Sequence, residues 1–310
     1  MVRFTRLFSS LLLFFLFIGM SAFSFGVEDP YARLDLQITT LIANGQYKEA
    51  VPLAEKLLPL AEKQFGADHP NTEKALNQLS EACRGTIDAA QREGREDIAL
   101  AETLTKLARV HQLQGKPLEA EPLYRRALAI LEIAEKPDSP LFAQTLNNLA
   151  LLYLAQARSD EANTLFRQAL VAYEQTQGAD SKDAGLTWIN IGAAYRDQGK
   201  ITEAETSFKK ALKILEKRLG QSDPNLVPAL NNYSGLYFAQ GKFAEAEPLV
   251  LRALKIAEKN YGLKPHPDLL TTLDNLEWIY AKMGRTEELT KLQEKSKLAR
   301  FGPEESTPQE

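Results

Sequence analysis

A block of about 42 residues recurs along this chain, and that period constrains the fold more than any single residue does. Thr-Leu-Asn-Asn-Leu-Ala-Leu-Leu-Tyr at 145–153 is followed by Glu161-Ala162, Phe166 and Ala169-Leu170. Forty-two residues on stand Thr-Trp-Ile-Asn-Ile-Gly-Ala-Ala-Tyr, Glu203-Ala204, Phe208 and Ala211-Leu212. A further 42 residues bring Ala-Leu-Asn-Asn-Tyr-Ser-Gly-Leu-Tyr, Glu245-Ala246 and Ala253-Leu254. One such unit cannot bury its own apolar face, so a fixed period of this size means a stack of units. Stacks of this kind present extended surfaces, which points to binding and away from a catalytic pocket.

Within a block, Leu146, Leu149, Ala150 and Tyr153 recur at helical spacing, and so do Ala162, Leu165, Phe166 and Ala169. Each set lines one face of a helix. A short break between them holds Gly115, Gly199, Gly241 and Gly284, with Ala157 in the remaining block. Glycine ends a helix in the left-handed conformation at no steric cost, so Ala157 should strain its turn. A second kind of break separates the blocks: His69-Pro70, Asp138-Ser-Pro140, Asp180-Ser-Lys-Asp183, Asp223-Pro224 and Lys264-Pro-His-Pro267. Asp or Ser before Pro reads as an N-cap followed by proline in the first turn. Pro52, Pro122 and Pro248 are expected early in their helices, where no intrahelical donor is lost.

The block resembles the tetratricopeptide repeat. Trp188, Ile191, Gly192, Tyr195, Ala204, Phe208 and Ala211 carry the likeness. The 42-residue length and the Leu-Asn-Asn-Leu-Ala and Glu-Ala-Glu-Pro-Leu phrases resemble the longer, kinesin-light-chain-like variant. The resemblance implies an all-α, right-handed superhelical solenoid of antiparallel helix pairs over residues 28–300, and it specifies fold more than function. The clearest repeats span 100–267. The second repeat, 70–99, is irregular: Gly45 to Gly115 is 70 residues where two periods would be 84, so a short or skewed second helix is expected over 85–95. Seven hairpins result, two of them irregular. Residues 268–300 read as a terminal cap, with Glu277, Gln293 and Ser296 at positions that are apolar elsewhere, and 301–310 as a disordered acidic tail.

The N-terminus is of another kind. Arg3 and Arg6 precede 21 uncharged residues, Leu7 to Val27, centred on Leu11–Ile18. Residues 1–27 read as a secretory signal peptide with cleavage after Ser24 or Gly26, or as an uncleaved membrane anchor. Both readings place the repeats outside the cytoplasm, in a periplasmic or secreted location. Loss of Arg3 and Arg6 would move the formal charge from −4 to −6, and an acidic chain argues against nucleic acid as partner. A membrane enters only if the leader is retained. Cys83 is the sole cysteine, so no intramolecular disulfide forms, and it reads as a small core residue.

No catalytic constellation is present in the sequence. The three histidines, His69, His111 and His266, are scattered, the first and last in turns before proline and the second at a core tyrosine position. Phosphate-loop, dinucleotide, zinc-protease and nucleophile-elbow motifs are all missing. Neither an enzyme nor a cofactor is expected. Asn232-Tyr-Ser234 matches a glycosylation acceptor but falls mid-helix.

One constellation does point to binding. Lys106, Asn148, Asn190, Asn232 and Asn275 recur at spacings of 42, 42, 42 and 43 on the first helices. Tetratricopeptide arrays line their concave face with first helices, so stacking would set these side chains in a row. An amide both donates and accepts, so such a row can pair with an extended peptide backbone, or it can hold neighbouring repeats together. Arg109, Leu151 and Trp278 follow on the same face, then Arg196 and Phe238. The groove would thus be small or apolar at its middle, with Arg109 and Arg196 as isolated charges and Phe238 and Trp278 as anchors. The expected function is non-catalytic capture of an extended peptide or helix from a protein partner. The alternative is a structural, self-associating array without peptide capture, in which the chain forms an oligomer.

Overall fold

The computed structural model describes residues 29–134 and 139–302. The leader, Asp138 and the acidic tail beyond Gly302 lie outside them. Among the described residues there are thirteen α-helices and no strand. None of these helices is long and apolar enough to cross a membrane. The chain divides into two compact units, Met1–Thr86 and Ile87–Glu310.

In the first unit, α1 (Pro30–Ala43) and α2 (Tyr47–Phe65) form an antiparallel hairpin. Asp29 caps α1 by accepting from the Tyr31 amide at 3.1 Å, and Gly45 turns the chain at φ +71°. Helix α3 (Pro70–Arg92) begins in this unit, with Cys83 fully buried on it. Here the expectation of a second, short helix over 85–95 fails. The helix is continuous through Gly85, and the chain turns at Gly94, φ +65°. Gly85 serves a close approach instead: a Cβ there would stand 2.2 Å from Cγ of Tyr47. A helical glycine facing a ring has no reason to break the helix. The expected seven hairpins are therefore six, plus one long single helix.

The second unit carries five hairpins: α4 (Ile98–Leu113) with α5 (Pro117–Ile133), α6 (Pro140–Ala155) with α7 (Ser159–Gln177), α8 (Lys182–Asp197) with α9 (Ile201–Leu219), α10 (Leu226–Phe238) with α11 (Phe243–Tyr261), and α12 (Pro267–Lys282) with α13 (Thr286–Phe301). Their turns share one construction. Gly115, Ala157, Gly199, Gly241 and Gly284 have φ between 59° and 71°, and Ala157 is the one non-glycine with positive φ among the described residues. The next amide, on Lys116, Arg158, Lys200, Lys242 or Arg285, donates to the carbonyl five residues back at 2.8–3.0 Å. This is the Schellman bond that satisfies the last turn of a helix.

Caps explain the helix starts. The Asp97 carboxylate accepts from Leu100 N at 2.8 Å, Ser139 Oγ from Phe142 N at 3.1 Å and Ser181 Oγ from Ala184 N at 3.2 Å. Each such cap stabilises by about 1 kcal/mol. Asp223 departs from the expected cap before Pro224. It accepts from the Asn225 amide at 2.8 Å in a turn, and α10 starts only at Leu226, leaving a shorter helix. The prolines also differ from expectation. Pro52, Pro122 and Pro248 stand six residues past their N-caps, inside the helix, so each does remove a ladder donor. All three are exposed, as are Lys48, Leu118 and Ala244 four residues earlier, whose carbonyls lose their intrahelical donor.

Small residues allow the helices of a pair to close on large ones. A Cβ on Gly192 would meet Cε1 of Phe208 at 2.7 Å, and Phe208, Phe166 and Tyr124 are fully buried. Across this unit the backbone of each first helix lies against that of the next first helix, whereas successive second helices meet only through side chains, Arg252 of α11 with Glu216 of α9 at 2.6 Å and Lys295 of α13 with Glu258 of α11. The array therefore curves with α4, α6, α8, α10 and α12 on its inner side. At the far end, Gln293 is exposed and Ser296, buried, donates to the Glu277 carboxylate.

Candidate functional site

The inner row of first helices carries every sequence-predicted residue, and the structure shows what each touches. Lys106 is half-buried and ion-paired to Glu102 at 2.8 Å. Asn148 is half-buried, and its Nδ2 is shielded from solvent with no hydrogen-bond acceptor. Asn190 donates to Asn147 Oδ1 of the preceding repeat at 3.2 Å, not to Asn148. Asn232 donates to its own helix at Pro228 O, 2.9 Å, and accepts from Arg196 Nη1 at 3.4 Å. Asn275 is half-buried on α12. The row exists as a register, but its members do not bond one to the next. Polar links between first helices are made largely by other side chains: Thr105 with Thr145 at 3.0 Å, and Asn231 with Thr272 at 2.8 Å. The Asn-Asn doublets at 147–148 and 231–232 were the available signal that two adjacent positions divide the work.

The lining between the amides is half-buried at Leu151, Ala193 and Gly235, and exposed at Arg109. Arg196 is not the isolated charge expected. Its guanidinium pairs with Asp197 at 3.1 Å and reaches from α8 to α10, 3.6 Å from where a Cβ on Gly235 would stand. At the α12 end, Trp278 is 43% exposed and packs on Phe238 and Phe243, both with ring centroids 5.3 Å away. Lys282 lies over its ring at 5.4 Å. This tryptophan thus leans on the preceding hairpin and keeps nearly half its surface in water.

The turn side carries a motif that sequence reading did not foresee. At three of the five turns the residue after the left-handed position is a cation that stacks on the tyrosine near the end of the first helix: Arg158 over Tyr153 at 3.7 Å, Arg285 over Tyr280 at 4.6 Å, Lys200 over Tyr195 at 5.8 Å. Glu121 joins the first of these, accepting from Tyr153 Oη at 2.8 Å and Arg158 Nη1 at 3.0 Å. Burial pushes its carboxyl up, but Tyr153, Arg125 and Arg158 together outweigh that and hold it below the ordinary glutamate range. His69 stacks on Phe65 and accepts from Asn71 N, and His266 stacks on Tyr261 and caps α12. Among the described residues no group of three His, Cys, Asp or Glu is placed to hold a metal.

The tetratricopeptide repeat profile matches residues 97–175, 141–217, 183–259 and 227–288, and a second tetratricopeptide profile matches 39–71. The chain belongs to the tetratricopeptide repeat family, whose members are protein-binding scaffolds. No curated protein matches the sequence. Among solved structures, BtubC (BKLC) from P. vanneervenii is 25% identical with a TM-score of 0.64, over 76% of this chain and 95% of that one. Aspartyl phosphate phosphatase F from Bacillus subtilis has a TM-score of 0.60 at 15% identity, over 88% and 76%. A Rap protein complexed with competence and sporulation factor has a TM-score of 0.52 at 16% identity, over 88% and 77%. The last two share the fold with this chain. The repeat fold is typically a non-catalytic scaffold, although one of these neighbours is named as a phosphatase.

Proposed function

We propose that this chain is a non-catalytic scaffold of the exported compartment that holds an extended peptide or a helix of a partner protein along the inner face of α4–α12. The observation that carries this reading is the inner row itself. It offers half-buried amides at one register, small or apolar residues between them, and a water-exposed tryptophan braced by two phenylalanines. Amides at Asn148, Asn190, Asn232 and Asn275 can pair with a peptide backbone irrespective of its sequence, while Phe238 and Trp278 supply an apolar anchor site. Arg109 presents an exposed cation at the α4 end, while Lys106 and Arg196 are paired with Glu102 and Asp197. The basic-then-apolar leader supports export.

Selection of displayed random peptides on the purified chain tests the groove. Wild type should enrich peptides with an apolar residue. Asn148/Asn190/Asn232→Ala and Trp278→Ala should each weaken binding roughly tenfold, as loss of interface contacts worth above 1 kcal/mol would. Equal binding by the triple variant, with helicity unchanged, would overturn the groove reading. N-terminal sequencing of the exported protein tests the leader, with a mature start after Ser24 or Gly26 expected.

A further inference from the structure

Position 121 of α5 recurs at 163, 205 and 247 in the second helices α7, α9 and α11, each beside the first helix of the next hairpin. Three of the four are glutamates and fasten that seam. Glu121 takes Tyr153 Oη and Arg158 Nη1, and the same Nη1 donates to Gln156 Oε1 at 3.1 Å. Glu205 accepts from Tyr233 Oη and Tyr237 Oη, both at 3.2 Å. Glu247 accepts from Arg285 Nη1 at 2.6 Å.

The fourth is Asn163, and its seam is different. Asn163 is 7% exposed, and neither its Oδ1 nor its Nδ2 has a hydrogen-bond partner. The equivalents of Arg158 and Gln156 are Lys200 and Gln198. Lys200 stays 5.8 Å from the Tyr195 centroid, and both amide atoms of Gln198 are shielded and unpartnered. Tyr195 Oη accepts from Arg167 of α7, as Tyr153 Oη accepts from Arg125 at the α5–α6 seam. Two side chains whose counterparts are joined through one guanidinium are here left without it. Other polar contacts across this seam are Asn190 to Asn147 and Lys217 to Asp180, the latter pair mostly exposed and worth little. With no glutamate at position 163, the seam rests on the Arg167–Tyr195 bond and on apolar packing of Ala162, Phe166, Ala184 and Ile191 in one cluster. Such packing is non-directional, and a single exposed arginine–tyrosine bond fixes geometry less than the added carboxylate network of Glu121 does at α5–α6.

We propose that the α7–α8 seam is the hinge of this array: the second unit opens there before it opens at α5–α6, α9–α10 or α11–α12. Asn148 and Asn190 stand on opposite sides of it, so opening changes the spacing of the amide row at that step.

Hydrogen–deuterium exchange on the full chain tests this. Amides of α7 and α8 should exchange roughly tenfold faster than those of α5 and α6 in wild type, since sub-global opening draws on the least-fastened seam. Asn163→Glu with Lys200→Arg should remove that difference. The converse pair, Glu121→Asn with Arg158→Lys, should create fast exchange at α5–α6 and keeps the test decisive if the first variant does not fold. Equal exchange at the two seams in wild type, or exchange unmoved by either pair in a folded chain, would overturn the hinge.

Discussion

The single helix Pro70–Arg92 and the hairpin Lys182–Leu219 both place a glycine against an aromatic ring, yet one chain segment turns and the other runs on. In α8 the ring-facing glycine is Gly192, and a second glycine, Gly199, makes the turn at φ +71°. In α3 Gly85 faces Tyr47, and the turn waits for Gly94. The comparison separates two uses of one residue type. Absence of a Cβ permits close packing inside a helix, whereas freedom at positive φ ends one. Position in the apolar register tells them apart: Ala82, Cys83, Ile87 and Ala90 stay buried on either side of Gly85.

Substitution at these glycines gives the largest effects. Gly192→Leu should cost about 3 kcal/mol, because Phe208 is fully buried and has nowhere to move. Gly85→Leu should cost less, about 1–2 kcal/mol, because Tyr47 is half-buried at the first residue of α2 and can swing toward water. Denaturant unfolding of both variants checks the order. A Gly85→Leu protein as stable as wild type would mean that this glycine packs nothing.

A smaller effect sharpens the turn side of the comparison. Ala157 sits at φ +59°, where the other hairpin turns carry glycine. Ala157→Gly should stabilise by roughly 1 kcal/mol and Gly199→Ala should destabilise by about the same amount. Thermal melts that move in the same direction for both would contradict a shared turn geometry.

The smallest effect concerns acid. Folding lowers the Glu121 carboxyl below its unfolded range, so its stabilisation is full above that range and is lost as pH falls through the folded value. The melting temperature of Glu121→Gln should therefore fall less than that of wild type as pH drops below the ordinary glutamate range. Parallel acid limbs would show that Glu121 contributes no fastening, and would also weaken the contrast with Asn163.

The hairpins were legible because the 42-residue period repeats both the apolar register and the turn glycine. The fate of 85–95 was not, since only the partner ring at Tyr47 reveals why Gly85 is small. Prolines 52, 122 and 248 were misplaced by a turn because sequence gives helix starts only loosely. At the groove, the period put the five amide-row positions on one inner face. It could not say which amides bond within the protein, because Asn190 chooses Asn147 over its register mate and Arg196 reaches a full repeat across to Asn232. Those choices depend on rotamers and small offsets between helices that no spacing encodes.

Because the backbones of successive second helices stay apart and meet only through side chains such as Arg252 and Glu216, the array is a spine of first helices with ribs that touch at their surfaces. Leu118, Ile133 and Val171 lie on those ribs and are more than half exposed, so exchanging them alters no neighbouring rib. A whole 42-residue unit could be duplicated or excised with each remaining rib still seated on its own vertebra. Copy number would then act as a ruler, setting the length of the inner face without redesign of the chemistry along it.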